Sequence, residues 1–389
     1  MQDKRGCFLP LNAIAVHPQG VRQFCLTSTL PIDPNPQNFE KQRWNIHREL
    51  LQGKWPETCR PCLNKEKRNL QSRRTRTWER KCARYGEAEA QTLLIEQDRP
   101  YIRHLEISFS NVCNLQCAMC SSEFSTSWIA DDKQAVAEGL EFRRFTEPFQ
   151  QVARISRPLM DEILTHAEEF DLVIVKGGEP TREPHCLEFL GRLAKLREGR
   201  SPRVFIQSNG TRSPLEWMPS LAGLDLEVGF SFDGWGAVYE WIRGTSFSKV
   251  LEHFQYLDQH PQVVALSVDF TLSSFNVFHL PEFLEKMLEL KSKMKKLNLC
   301  PVFQWVQQPY ASPANLKLED RLEIAALARP LLEKDQVFFM NSENLLRVLN
   351  LPRASEESRK KALQWHEFLV RQRGHAIYDL QPRLRDSLS

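Results

Sequence analysis

The 389-residue chain contains no apolar run approaching the ~20 residues that cross a bilayer. Its opening residues, Met-Gln-Asp-Lys-Arg-Gly-Cys, also lack the apolar core of a secretory signal, so the expected location is the cytoplasm. Charge of one sign is missing too: 52 Lys and Arg stand against 49 Asp and Glu, a formal +3, which makes no global case for nucleic acid or an anionic membrane as partner. What the chain does have is ten cysteines. A reducing compartment keeps thiols from pairing, which leaves metal ligation or thiol chemistry as the expected reason for them. The length exceeds what one hydrophobic core usually serves, so a main domain with one or two appendages is expected.

Three of the cysteines, Cys113, Cys117 and Cys120, fall in the run Cys-Asn-Leu-Gln-Cys-Ala-Met-Cys. That span is short enough for their sulfurs to converge on one small object. Cubane iron-sulfur clusters are mostly held by four thiolates, so a group of three leaves one iron without a protein ligand, and an open metal position is where a substrate or cofactor binds. A zinc site, or three unrelated buried thiols, is the alternative. Four more cysteines precede them: Cys7, Cys25 and the Cys-x-x-Cys of Cys59 and Cys62. Four thiols from separated loops can enclose a metal completely, and spacing alone does not choose between zinc and a fully ligated cluster. Cys82, Cys186 and Cys300 have no neighbour at ligand spacing and read as ordinary, mostly buried thiols.

Between residues 99 and 310 strand and helix signals alternate. Strands are expected at Arg103 to Ser110, Asp171 to Lys176, Arg203 to Gln207, Leu226 to Phe232 and Val263 to Leu272, with a sixth at Leu297 to Phe303. Helix-length segments separate them, among them Leu159 to Phe170, Pro184 to Leu196 and His279 to Leu290. This order predicts a parallel sheet closed or partly closed into a barrel, with its chemistry at the C-terminal strand ends. Polar groups cluster at those ends. The second strand runs into Gly177-Gly178-Glu179-Pro180, whose glycines permit close backbone approach and positive φ. The third ends Ser208-Asn209-Gly210, also a common turn sequence. The fourth carries Ser231 and Asp233, two residues apart and so on one face, followed by Arg243. The fifth leads to Asn276.

The three-cysteine run, with Ser-Asn-Val before it and Gly-Gly-Glu-Pro one strand later, resembles the signature of the radical SAM superfamily. That resemblance implies a partial (β/α)6 TIM-like barrel. It also implies a [4Fe-4S] cluster on Cys113, Cys117 and Cys120 that binds S-adenosylmethionine through its amino and carboxylate groups and splits it reductively to a 5'-deoxyadenosyl radical. By the same likeness Gly177, Gly178, Glu179 and Pro180 form the motif for the methionine amino group. Ser208, Asn209 and Ser231 face the carboxylate or ribose, Arg243 grips the carboxylate, and Asn276 lies beside the adenine. Asp233 is the candidate for polar work near the radical. The Cys-Phe-Leu-Pro, His-Pro-Gln-Gly and Trp-Pro-Glu-Thr-Cys-Arg-Pro-Cys segments resemble the N-terminal part of twitch or SPASM-type members, which implies an auxiliary [4Fe-4S] cluster on Cys7, Cys25, Cys59 and Cys62. Leu11, Asn12 and the single Cys25 depart from that pattern.

Three segments are expected: a cysteine-rich N-terminal part over 1–98, the barrel over 99–310 and a helical extension over 311–389. Residues Lys65 to Arg84 carry nine Lys or Arg against Glu66 and Glu79; the preferred reading is a solvated helix face, with a nucleic-acid track or an acidic peptide site as alternatives. In the extension, helices are expected over Leu318 to Leu332 and from Ser355 to Gly374, and a loose tail from Pro382. The resemblance points to hydrogen abstraction, with a peptide or protein side chain as the leading substrate and a small molecule as the other. It also implies a low-potential flavodoxin or ferredoxin as electron donor. The reading from a different class is a non-catalytic zinc or iron-sulfur module that grips RNA or an acidic protein.

Overall fold

A computed structural model describes residues 6–19, 22–25, 36–96, 103–143, 150–196, 202–299, 301–339 and 342–388. Its frame is one sheet of β1 (Ala13–Val16), β2 (Arg22–Gln23), β3 (His104–Ser108), β4 (Leu172–Lys176), β5 (Arg203–Ser208), β6 (Leu226–Ser231), β7 (Val263–Leu272) and β8 (Val302–Trp305). The spatial order is β2-β1-β3-β4-β5-β6-β7-β8. β1 pairs antiparallel with β2; all other neighbours are parallel. The seven parallel strands curl into a half-barrel, with helices packed on the outer side.

Alternation within each strand sets which side faces the helices. On β7, Phe270 stacks on Phe283 of the helix Leu280–Lys293 with ring centroids 4.4 Å apart. On β6, Phe230 meets Phe254 of the helix Phe247–Gln259 at 5.1 Å. Their neighbours one residue along, Asp269 and Ser231, therefore face the concave side, where they stand opposite each other in register. Lys176 on β4 and Ser108 on β3 form a second register pair there.

The six expected strands correspond to β3 through β8, and β1 from the N-terminal segment adds a seventh parallel strand alongside β3. Its Ala13 and Ala15 put small side chains on the concave side opposite His104 and Glu106. The last strand forms at Val302–Trp305, later than the Leu297 to Phe303 expected. Upstream of it, the backbone amides of Lys295 and Lys296 donate to the buried Asp258 carboxylate, at 3.2 and 2.7 Å, while Lys296 O accepts from Leu266 N of β7 at 2.7 Å and Leu299 N donates to Leu266 O at 3.2 Å. The segment Leu159 to Phe170 divides into a helix over Arg157–Leu164 and a separate 3₁₀ turn at Ala167–Glu169.

In the C-terminal extension Ser355 caps the helix Glu356–Arg373, and Gly374 ends it in the left-handed conformation at φ 75°, as the sequence indicates. The final residues are not a loose tail: Arg383–Leu388 is a helix that buries Leu384 and Leu388 completely. Arg383 ties it to Asp320 and Glu323. Cys300 lies outside the described residues. Among the described residues no helix is long and apolar enough to cross a membrane.

Candidate active site

The loop that leaves β3 at the C-terminal mouth of the half-barrel carries Cys113, Cys117 and Cys120. Having no regular structure of its own, it needs partners for its backbone polar groups, and they come from four places. Ser127 Oγ donates to Cys113 O at 2.8 Å, and the Trp128 indole donates to Cys117 O at 3.2 Å. Arg143 donates to Cys120 O at 2.7 Å while its charge pairs with the buried Asp132. From the far end of the chain, the Trp365 indole donates to Ala118 O at 2.9 Å and Arg373 to Gln116 O at 2.6 Å. The amide of Ala118 donates to Ile242 O at 2.8 Å. Trp365 and Arg373 both belong to the helix Glu356–Arg373 of the C-terminal extension.

Burial pushes the Cys113 thiol up to about 11, with Cys117 adding to the effect. Cys117 and Cys120 are raised as well, chiefly by burial. Thiols so placed ionise only when a cation takes the lone pair, and a bound metal does that outright. Among the described residues no three His, Cys, Asp or Glu side chains are gathered closely enough about one point to hold a metal ion. The donor set nonetheless fits a thiolate-held cluster: three neighbouring half-buried thiols on one anchored loop.

The turn after β4 lies against this loop. Gly177 and Gly178 have φ of 83° and 52°. A Cβ on Gly177 would collide with the Ser108 side chain, and one on Gly178 would stand 2.5 Å from Val112 O and 2.8 Å from Ser110 O. The close approach these glycines permit is to the cysteine loop itself, where the Glu179 amide donates to Val112 O at 2.7 Å. Pro180 opens the short 3₁₀ turn that follows. The Glu179 carboxylate is buried and gathers the neighbouring strand end around it, accepting from Ser208 Oγ at 2.8 Å, Asn209 N at 2.6 Å, Thr181 Oγ1 at 2.7 Å and Thr181 N at 3.1 Å. Burial raises its pKa, and these bonds work against that rise. Asn209 then reaches the first thiol, its Nδ2 lying 3.6 Å from Cys113 Sγ.

A second set sits across the mouth. Asp233 accepts from Arg243 Nε at 2.7 Å and pairs with its Nη2 at 2.6 Å, while its other oxygen accepts from Thr271 N at 2.8 Å. Burial alone would weaken the Arg243 charge, but Asp233 and Cys117 hold it more firmly than usual. Asn276 is fully buried and acts as a backbone clasp, donating to Asp233 O at 2.9 Å and Thr271 O at 3.0 Å and accepting from Ser273 N at 2.8 Å. Ser231 is half-buried on the concave side. Sequence reasoning missed Tyr239, which is fully buried, has no hydrogen-bond partner for its hydroxyl among the described residues, and lies in the field of Arg243, Cys117 and Asp233.

The four N-terminal cysteines meet around one small cavity, with Phe24, Trp55 and Arg74 among its other walls. Burial raises Cys7 and Cys59, and the other thiols of the group add to the effect. Cys82 is not part of this wall, and Cys186 is buried in the main core. The basic stretch is not simply a solvated face. Arg74 is 3 % exposed and paired with Glu66 at 2.5 Å, and Arg73 is paired with Glu106 inside the half-barrel.

The fold and site thus define a parallel half-barrel with three thiols on the loop after its first core strand and a glycine-glycine-glutamate turn after the next. The family model of the Radical SAM superfamily matches residues 107–273, from within β3 to just past β7. No protein of curated function matches the chain. Among solved structures it is similar to "Native anSMEcpe with bound AdoMet", at 20% identity over 62% of this chain and 62% of that one with a TM-score of 0.43. It is also similar to "Native anSMEcpe with bound AdoMet and Cp18Cys peptide", at 18% identity, the same coverage and a TM-score of 0.43. "Structure of TYW1 with a lysine-pyruvate adduct bound" matches at 15% identity over 60% of this chain and 74% of that one, with a TM-score of 0.31. The chain spans 62% of the length of the first of these.

Proposed function

We propose that the chain is a cytoplasmic radical SAM enzyme that acts by hydrogen abstraction, with a peptide or protein side chain as substrate. When bound, the [4Fe-4S] cluster and S-adenosylmethionine supply an electron to the sulfonium and a 5'-deoxyadenosyl radical from it. Cys113, Cys117 and Cys120 hold the cluster, and a flavodoxin or ferredoxin of low potential delivers the electron. The observation that carries this reading is the Asn209 contact to Cys113 Sγ at 3.6 Å, because it joins the thiol loop to the Glu179 network.

Each residue then has a defined task. Glu179 presents a buried carboxylate to an ammonium, with Ser208, Asn209 and Thr181 fixing its orientation. Arg243 presents the part of its guanidinium that Asp233 does not occupy to a carboxylate. Gly177, Gly178 and Pro180 set the turn; Asn276 fixes the backbone on which Asp233 stands, and Ser231 offers a hydroxyl to the ribose. The cavity walled by Cys7, Cys25, Cys59 and Cys62 supports an auxiliary [4Fe-4S] cluster, and the resemblance of this segment to twitch and SPASM-type proteins is what supports a peptide substrate.

Anaerobic reconstitution tests the reading. Two clusters give about eight irons per chain and one gives about four, and dithionite with S-adenosylmethionine yields 5'-deoxyadenosine. Replacing Cys113, Cys117 and Cys120 by Ala removes one cluster and ends that product. A colourless, zinc-loaded protein, or 5'-deoxyadenosine from the triple variant, overturns the assignment.

A further inference from the structure

The cavity that the four N-terminal cysteines share is otherwise walled by Leu9, Phe24, Leu50, Trp55, Thr58 and Arg74. Among the described residues Arg74 is thus the one side chain in the wall that carries a fixed charge. It stands in the first turn of the helix Arg73–Tyr85 and is held from three sides. Nε and Nη2 donate to the Glu66 carboxylate at 3.0 and 2.5 Å. Nη1 donates to the carbonyl of Gly6, next to Cys7, at 3.5 Å, and the guanidinium lies over the Trp55 ring, 5.1 Å from its centroid. Glu66 is fixed in turn by Ser72 Oγ, which donates to it at 2.5 Å.

Glu66 is not part of the wall, so the ion pair has a direction: its positive end meets the thiols and its negative end stands behind. Lys65, near Cys62, and Lys176, near Cys25, act on the same group from outside the wall. A four-iron cluster on four thiolates is net negative in both oxidation states, and more so when reduced. Its potential follows its net charge, the hydrogen bonds to its sulfurs and its exposure. In a mostly apolar wall a neighbouring charge is poorly screened. A cation there favours the reduced form, and a carboxylate behind it takes part of that effect away.

We infer that Arg74 is the residue that raises the reduction potential of the metal group held by Cys7, Cys25, Cys59 and Cys62, with Glu66 orienting its guanidinium and moderating its charge. This rests on the auxiliary cluster proposed above. It gives one arginine of the basic stretch a task at the thiols, and it makes Arg74 a positioning and tuning residue rather than a ligand.

The test is a redox titration of the anaerobically reconstituted full chain, followed by electron paramagnetic resonance. The variant with Cys113, Cys117 and Cys120 replaced by Ala identifies the signal of the N-terminal cluster. Arg74→Gln lowers the fraction reduced at a fixed potential by about tenfold, a downward shift of about 59 mV for one electron. Arg74→Lys, which keeps a cation, stays near wild type. Glu66→Gln removes the opposing charge and shifts the potential upward. The opposite signs separate charge from structure, because a mere clip between the two helices would disturb the cluster in the same sense when broken from either side. Should Arg74→Gln not retain its cluster, the direction of the Glu66→Gln shift decides. The inference is overturned if Arg74→Gln leaves the potential unmoved, if Arg74→Lys falls as far as Arg74→Gln, or if Glu66→Gln shifts downward or not at all. About eight irons per chain with unmoved potentials defeat this inference alone; about four irons, or zinc at the N-terminal thiols, defeat the auxiliary-cluster reading and this inference with it.

Discussion

Trp365 donates its indole N–H to the backbone carbonyl of Ala118, 247 positions earlier and between the second and third cysteines of the loop, at 2.9 Å. The ring is fully buried, stacked on Phe368 at 5.2 Å and packed against Trp128 at 5.5 Å. The helix Glu356–Arg373 is thus part of the clamp on the thiol loop.

Trp365→Phe keeps an aromatic ring in that stack but leaves the Ala118 carbonyl buried without its donor. The expected cost is about 1–3 kcal/mol in urea unfolding. The loosened loop should also lose its visible absorption faster in air than wild type once a cluster is installed. Equal bleaching rates would show that the loop does not depend on this bond.

Gly178→Ala places a methyl group 2.5 Å from Val112 O at a residue with φ 52°. Either the cysteine loop or the turn must shift, at a cost of about 1–3 kcal/mol. The expected result is a lower melting temperature and weakened S-adenosylmethionine binding by calorimetry. Gly86→Ala also has positive φ but meets nothing within 4 Å, so it serves as the control for backbone strain without collision.

Asp233→Asn removes the charge opposite Arg243, with the pair now at 2.6 Å and nearly buried on both sides. Breaking a buried pair from one side costs about 3–5 kcal/mol. A guanidinium unfolding curve showing a loss below ~1 kcal/mol would mean that the pair is solvated as at a surface.

His366 is buried between Phe275, at 4.6 Å, and Tyr378, at 5.5 Å, and burial lowers its pKa from 6.5 to about 3. Between those values the unfolded chain binds a proton that the folded chain does not. Stability from this site is therefore complete above pH 6.5 and falls as pH drops, by about 1.4 kcal/mol per unit. His366→Phe should flatten the acid limb of a stability-versus-pH profile over that window; an unchanged slope would mean that His366 is protonated in the folded state.

Much of the site could be read from the chain because its parts are local. Cys113, Cys117 and Cys120 are neighbours, Glu179 follows its glycines directly, and strand alternation is a property of adjacent residues. Where the reading went astray, a distant partner was responsible. Asp258 takes the amides of Lys295 and Lys296 just before the last strand, and Leu384 and Leu388 order the tail by burial against the core.

The sequence alone determined the alternation of strands and helices, the spacing of the thiols and the residues at each strand end, since each depends on contacts within a few positions. Only the tertiary structure decided that four N-terminal cysteines wall one cavity, that Arg73 enters the half-barrel to meet Glu106, that Asn276 clasps the Asp233 backbone, and that Trp365 and Arg373 hold the cysteine loop. Those relationships follow from which faces of separate elements bury one another, and the pairing of faces is settled by packing across the whole fold.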